Sequence, residues 1–342
     1  MSLMLRSTRT EISMNQSNQI KGLAIIAIVL HNFIRPIIGC QCNEMSWVEI
    51  NATNFLIGIK SWISPLYIIG FLGWYGVPLF IFVSGYGLSI KYDKKIEFNA
   101  GRKFLFKQWK KLVILMMPTL LVFAFIVSVI YRRYYPAELL WQIPTMTANM
   151  LSFRILPGPY WFFGMIFHKY AIFLIISKLK IGTIRLLLIF AGIFIVFDYF
   201  VLYGVAPDTM VWIRHNSIGW IPVFLLGMLA ARIDITVPKP IAFIGLALFS
   251  VMSVVKWFHP LNGLLLVVCV VTLCKAFESK SLVLMGLLSA YLFVLHGLTR
   301  EIFYLSCWNW NLFVLITVYF AVTLTASYGY MRLDKFITRK NN

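Results

Sequence analysis

The chain has 342 residues, of which 60% are hydrophobic and 13% charged, with a mean hydropathy of +0.82. A water-soluble domain cannot solvate that much apolar surface, so the composition excludes one. The formal net charge of +19 would suit a nucleic-acid binder, but the basic residues lie in short segments between apolar runs, where they orient a membrane protein; nucleic acid is not an expected partner.

Residues 1–20 read as a polar N-terminal segment. No small-residue cleavage site follows the first apolar run, which is therefore expected to be retained as a span. Apolar stretches suited to crossing a bilayer recur at 21–39, 70–90, 112–131, 157–177, 183–203, 217–232, 241–257, 261–276, 282–303 and 311–331. They predict an all-α polytopic bundle of about ten spans. No long polar linker divides them, so the whole of 1–342 is expected to be one domain, ending in a polar tail over 332–342. No internal repeat is visible, which weighs against repeat-built transporter folds.

Loop charge predicts the orientation. With the N-terminus cytoplasmic, the inner side takes Lys21, the cluster from Lys91 to Lys111, Lys178, Lys180, Arg232, Lys239, Lys275, Lys280 and Arg332 to Lys340. The outer side keeps chiefly Arg132, Arg133, Arg154 and Arg214. An even number of spans then places both termini in the cytoplasm. Trp47, Trp141, Trp212, Trp308 and Trp310 fall in or near the outer loops, as an interfacial belt would.

In the first span, IKGLAIIAIVLHNF places His31 ten residues after Lys21, roughly 15 Å deeper at helical rise. An ionisable group at that depth is costly and marks a functional site by default. Between the first two spans, Asn54 to Ile59 and Trp62 to Ile69 read as a short interfacial helix. The second span carries Pro78, three glycines and, in its inner half, Ser84. The loop after it ends in Lys103, Lys107, Lys110 and Lys111, a helical spacing of basic residues before the third span. Such a helix rests on anionic lipid or holds the phosphates of a cytoplasmic donor. Trp161 opens the fourth span, and Asp198 lies in the outer half of the fifth. In the ninth span Ser289, His296 and Arg300 are seven and four residues apart and share one helical face. Arg300 could pair with Glu301 or with an anionic group of an acceptor. Ionisable groups on three helices at similar depth point to a cavity. The cysteines 40, 42, 269, 274 and 307 have no metal-site spacing, and no metal is expected; a bond from Cys307 to Cys40 or Cys42 requires an oxidising side.

Five sequence elements together resemble the acyltransferase-3 family of bacterial integral-membrane acyltransferases. They are Lys21-Gly22-Leu23-Ala24 to His31; Gly76-Val77-Pro78-Leu79-Phe80 to Ser84-Gly85-Tyr86; Lys107, Lys110 and Lys111 followed by Pro118; Pro159-Tyr160-Trp161-Phe162 with Tyr170; and Ser289, Tyr291 and His296. The resemblance spans nearly the whole chain. The family usually has arginine eleven residues before the histidine, whereas here Lys21 stands ten before it, which rotates the two apart by roughly 80° on a regular helix.

The resemblance implies transfer of an acyl group, commonly acetyl, from an acyl-CoA co-substrate to a hydroxyl of an envelope glycan or glycolipid, in the bacterial inner membrane. His31 is then the expected general base and His296 the second catalytic candidate. Lys21, Ser84, Lys107, Lys110 and Lys111 are the donor-side candidates. Trp161, Tyr291, Arg300 and Asp198 are the acceptor-side candidates. The alternative class is a transporter or flippase for a glycolipid or small solute, which would also carry polar groups in mid-membrane.

Overall fold

The structure is a computed structural model that describes residues 11–37, 64–92, 98–132, 136–151, 158–202, 213, 215–253, 259–306 and 310–340. Every regular element among them is helical. In chain order they are α1 (Met14–Ile37), α2 (Ser64–Leu72), a 3₁₀ turn (Gly73–Tyr75), α3 (Gly76–Tyr92), α4 (Phe98–Phe125) and a π turn (Ile126–Ile130). Two short helices, α5 (Leu139–Gln142) and α6 (Ala148–Leu151), and a 3₁₀ turn (Gly158–Tyr160) follow. The rest are α7 (Trp161–Lys178), α8 (Thr183–Leu202), α9 (Ile221–Ala230), α10 (Lys239–Met252), α11 (His259–Ala276), α12 (Lys280–Ser306) and α13 (Leu312–Lys340).

Six helices are long and apolar enough to cross a membrane, and Thr183–Val196, Ile221–Ala230, Lys239–Met252 and Leu261–Ala276 are shorter apolar helices. Each falls on one of the ten apolar stretches read from the sequence. Several boundaries move. The second apolar helix begins near Pro65 rather than residue 70, because α2 runs into α3 through the 3₁₀ turn. The basic stretch is no separate helix: Lys103 to Lys111 lies on the first turns of α4, which continues through Pro118. With its π turn this element runs from 98 to 130, about 50 Å at helical rise, against a hydrocarbon core of about 30 Å. Part of each polar end is helical. Helix α1 begins at Met14, inside the polar segment, with Asn18 and Gln19 buried, and α13 continues to Lys340. Asn54 to Ile59 lies outside the described residues, as do Trp47, Trp212, Trp308, Arg133, Arg154 and Arg214.

Helix α1 occupies the centre, touching α2, α3, α11, α12 and α13. Ile20, Ala24, Ile25, Ile28, Val29 and Phe33 are buried along it. Its most extensive partner is α12. The two run in the same direction. Gln19 donates to the Phe277 carbonyl (2.7 Å) and accepts from the Ser279 amide (3.1 Å) at one end, while Tyr304 donates to the Phe33 carbonyl (3.0 Å) at the other. Helix α13 returns antiparallel, with Phe303 against Tyr319 and Tyr291 bonded to Asp334.

Lipid is as apolar as leucine, so helices in a bilayer associate through close packing rather than through water exclusion. Two crossings show how. A Cβ at Gly22 would strike the backbone of Leu282, and one at Gly286 the backbone of Asn18. Helices α3 and α9 repeat the arrangement, Gly85 against Phe224 and Gly227 against Phe82. At each crossing, both helices remove the side chain that would hold the backbones apart. The outward faces carry exposed Leu121 on α4, Ile184 and Leu188 on α8, and Ile244 and Leu248 on α10, the surface expected to meet acyl chains.

Candidate active site

His31 is 4% exposed. It sits where α2 gives way to the 3₁₀ turn. A Cβ at Gly73 would meet the Ala27 carbonyl and the His31 Cβ, so the break packs directly on α1. The His31 Nδ1 lies 2.8 Å from the Gly70 carbonyl. A carbonyl can only accept, so Nδ1 carries the hydrogen. In the neutral ring, Nε2 then bears the lone pair of a base.

His296 is equally buried and holds the same tautomer by another route: its Nδ1 donates to the Phe293 carbonyl of its own helix at 2.7 Å. Its own carbonyl accepts from Tyr319 (3.0 Å) and Thr299 (3.2 Å), and Thr299 pairs with Thr323 at 2.8 Å. Phe33, two residues beyond His31, stacks on Tyr319 with ring centroids 3.7 Å apart. One aromatic ring therefore ties the segment that follows His31 to the backbone at His296.

Beyond these histidines lies an ionic cluster. Arg300 binds the Glu301 carboxylate through Nε (3.0 Å) and Nη2 (2.6 Å) and lies over the Tyr304 ring. Arg35 is within electrostatic reach of Arg300 and Tyr304. Tyr131, just past the π turn that follows α4, donates to the Glu301 carbonyl at 3.1 Å.

At the opposite, basic end, Lys21 donates to Asn18 Oδ1 at 3.0 Å and lies within electrostatic reach of Lys111. The tertiary structure thus brings together two donor-side candidates that are 90 residues apart in the chain. Lys107, Lys110 and Lys111 are all exposed. Helix α1 is continuous from Met14 to Ile37, so no distortion returns Lys21 to the face of His31. One turns to Asn18 and α4, the other to α2. Ser84 is half-buried and donates to the Phe80 carbonyl one turn back on its own helix at 2.9 Å.

The acceptor-side candidates divide among separate places. Trp161 packs on the buried ring of His215 with centroids 4.6 Å apart. Arg300 belongs to the ionic cluster. Tyr291 is toward the basic end: its hydroxyl donates to Asp334 Oδ2 at 2.7 Å and its ring meets Tyr330, which donates to the Leu115 carbonyl on α4. The side chain of Asp198 lies outside the described residues, as do that of His259 and the residues Cys40, Cys42 and Cys307. Cys269 and Cys274 are buried free thiols.

Two features escaped the sequence reading. Lys169, in the middle of α7, is fully buried, and its ammonium donates to the carbonyls of Ser217 (3.2 Å) and Gly219. It pins the turn that precedes α9, where Trp220 takes a left-handed backbone at φ 61°. A lysine inside an apolar run was the available signal. The other feature is the segment containing α5 and α6. Trp109, in the basic stretch, donates to the Pro144 carbonyl at 2.8 Å. Trp109 lies 22 residues before Tyr131, the residue that follows this helical element, about 33 Å along its axis. The segment therefore descends beside α4 and does not stay at the level of Tyr131. Ile143, Met146 and Ala148 are buried within it. Trp141, read as part of an outer-loop belt, is on this descending segment, three residues from Pro144. A turn of hydrogen bonds among Trp141, Gln142, Thr145 and Thr147 satisfies this irregular backbone locally.

The family model described as an acyltransferase domain matches residues 14–332. No curated protein and no solved structure gives a significant match.

Proposed function

Because the chain belongs to the acyltransferase domain family over residues 14–332, we propose that it moves an acyl group, acetyl foremost, from an acyl-CoA at its basic end to a hydroxyl of an envelope glycan or glycolipid at the opposite end. The observation that carries this reading is the His31–Gly70 bond. An alcohol is a weak nucleophile near neutral pH and needs a positioned base. In the proposed step, the acceptor oxygen attacks the thioester carbonyl while its proton passes to His31 Nε2. Collapse of the tetrahedral species breaks the carbon–sulfur bond, and the proton returns to the departing thiolate. His296, with the same tautomer, orients the acceptor; transfer through an acyl-histidine at His296 is the other route. Arg300 and Trp161 contribute to the acceptor side, while Lys21 and Lys111 contribute to the donor side.

Purified protein in detergent, given labelled acetyl-CoA, should transfer label to a glycan acceptor, and mass spectrometry of envelope glycans should lose an acetyl increment when the protein is absent. Solute or glycolipid movement without any label transfer would instead establish the transporter reading. In the same assay, combining Lys107→Gln, Lys110→Gln and Lys111→Gln should raise the KM for acetyl-CoA about tenfold or more, with less change in that for the acceptor. Phosphate attraction at an exposed site is screened, so the wild-type KM should also rise with salt. An unchanged donor KM would leave these lysines as a lipid-facing anchor.

The reading also takes the basic end as cytoplasmic, in a bacterial inner membrane, from the loop charge bias. Reporter fusions after Lys178 and Lys340 should read cytoplasmic and one after Arg132 external. A reversed pattern would exclude donor entry from the cytoplasm at the basic end.

A further inference from the structure

We propose that the groove between α4 and α7 binds an anionic phospholipid of the surrounding membrane, separately from the acyl donor. The groove has a volume of about 890 Å³ and is lined by Arg102, Lys103, Phe106, Trp109, Phe167 and Lys178, among others. Its chemistry is divided along its length. Arg102 and Lys103 stand near the start of α4 and Lys178 at the end of α7. A Cβ at Gly101 would lie 3.0 Å from the Lys178 Nζ, so cations from both helices meet at one end of the groove. Trp109 is seven residues further along α4, and Phe167 eleven residues back along α7. Those separations correspond to about 10 and 16 Å. A cationic end and an apolar end at that spacing match a phosphate headgroup with acyl chains running toward the membrane centre.

Two observations separate this groove from the donor site. Arg102 and Lys111 are nine residues apart, or about 2.5 helical turns, which places them on opposite faces of α4. Lys111 faces Lys21 of α1, while Arg102 faces α7. The apolar end also offers little to the amide-bearing arm of coenzyme A. The Trp109 indole N–H is engaged by Pro144, and the other groove residues near it, Phe106 and Phe167, have no polar atom in their side chains. No acidic side chain lines the groove among the described residues.

The test is native mass spectrometry of the full chain in detergent with equimolar phosphatidylglycerol and phosphatidylcholine. Phosphatidylglycerol should be retained preferentially. The variant combining Arg102→Gln, Lys103→Gln and Lys178→Gln should lose that preference by about 100-fold, from three surface-type cation contacts. The Lys107→Gln, Lys110→Gln and Lys111→Gln variant should keep it within about twofold, since those residues lie outside the groove. Phe167→Ser should weaken retention of both lipids, because it removes the apolar wall. Unchanged retention in the Arg102, Lys103 and Lys178 variant would overturn the proposal. So would release of bound phosphatidylglycerol by free coenzyme A, which would make the groove part of the donor path. Failure of acyl transfer leaves this result untouched, because the readout is lipid retention.

Discussion

Replacing His31 with alanine is expected to lower turnover by about 10²–10⁴-fold, the usual contribution of a positioned general base. Alanine alone would not separate chemistry from structure, since it also deletes the bond to Gly70. His31→Asn does separate them. Its side-chain amide nitrogen falls near the position of Nδ1 and can still donate to the Gly70 carbonyl, but nothing replaces Nε2. The asparagine variant should therefore hold the wild-type thermal midpoint more closely than the alanine variant, while losing turnover to the same degree. Near-normal turnover in His31→Asn would reduce His31 to a residue that fastens α2 to α1, and the base would move to His296. His296→Ala should also lower turnover, but its bond is to its own helix, so α2 should stay in place. His168 is half-buried on α7, and His168→Ala is expected to leave most of the turnover.

The second large effect is on the crossing that holds the two histidine helices together. In a helix, alanine is intrinsically favoured over glycine by about 1 kcal/mol. Gly87, with nothing within 4 Å of an added Cβ, should follow that rule, and Gly87→Ala should be neutral or stabilising. Gly286→Ala should invert the sign. Its Cβ would strike the Asn18 carbonyl, and the reciprocal Gly22 contact leaves α1 no room to withdraw. Overpacking costs about 1–3 kcal/mol even where side chains can shift, and here both colliding groups are backbone. Thermal unfolding in detergent should show Gly286→Ala melting well below wild type and Gly87→Ala at or above it. Equal midpoints for the two variants would mean that the crossing is looser than these contacts indicate. Because α1 carries His31 and α12 carries His296, the Gly286 variant should also lose turnover in parallel with its stability.

The part of this protein legible from sequence is the part that depends on one helix at a time. Hydropathy over a window of about 18 residues reports whether a helix can lie in lipid, and all ten apolar stretches correspond to helices. Depth along α1 follows from rise per residue, so the distance from Lys21 to His31 needed no tertiary information. The phase difference between them likewise survives in the structure, because α1 is uninterrupted. Motif order sufficed to point to the family over residues 14–332.

What only the tertiary structure decided is where each polar group finds its partner. The acceptor for His31 is a backbone carbonyl 39 residues away. Backbone carbonyls are identical in every residue, so no side-chain pattern announces which of them will be used. Lys169 is satisfied in the same way, by the carbonyls of Ser217 and Gly219. Tyr291 shares a helix with His296 and Arg300, yet its bond to Asp334 associates it with the basic end. That pairing follows from the antiparallel return of α13, which the spacing along α12 does not contain. The descent of the segment around Pro144 is the clearest case. Its tryptophan and short apolar stretches suit an interfacial loop, and a hydropathy window cannot tell a loop that stays at one end of a helix from one that packs along its side. The difference is made by burial of Ile143 and Met146 and by the Trp109 hydrogen bond, interactions that exist only once α4 is folded beside it.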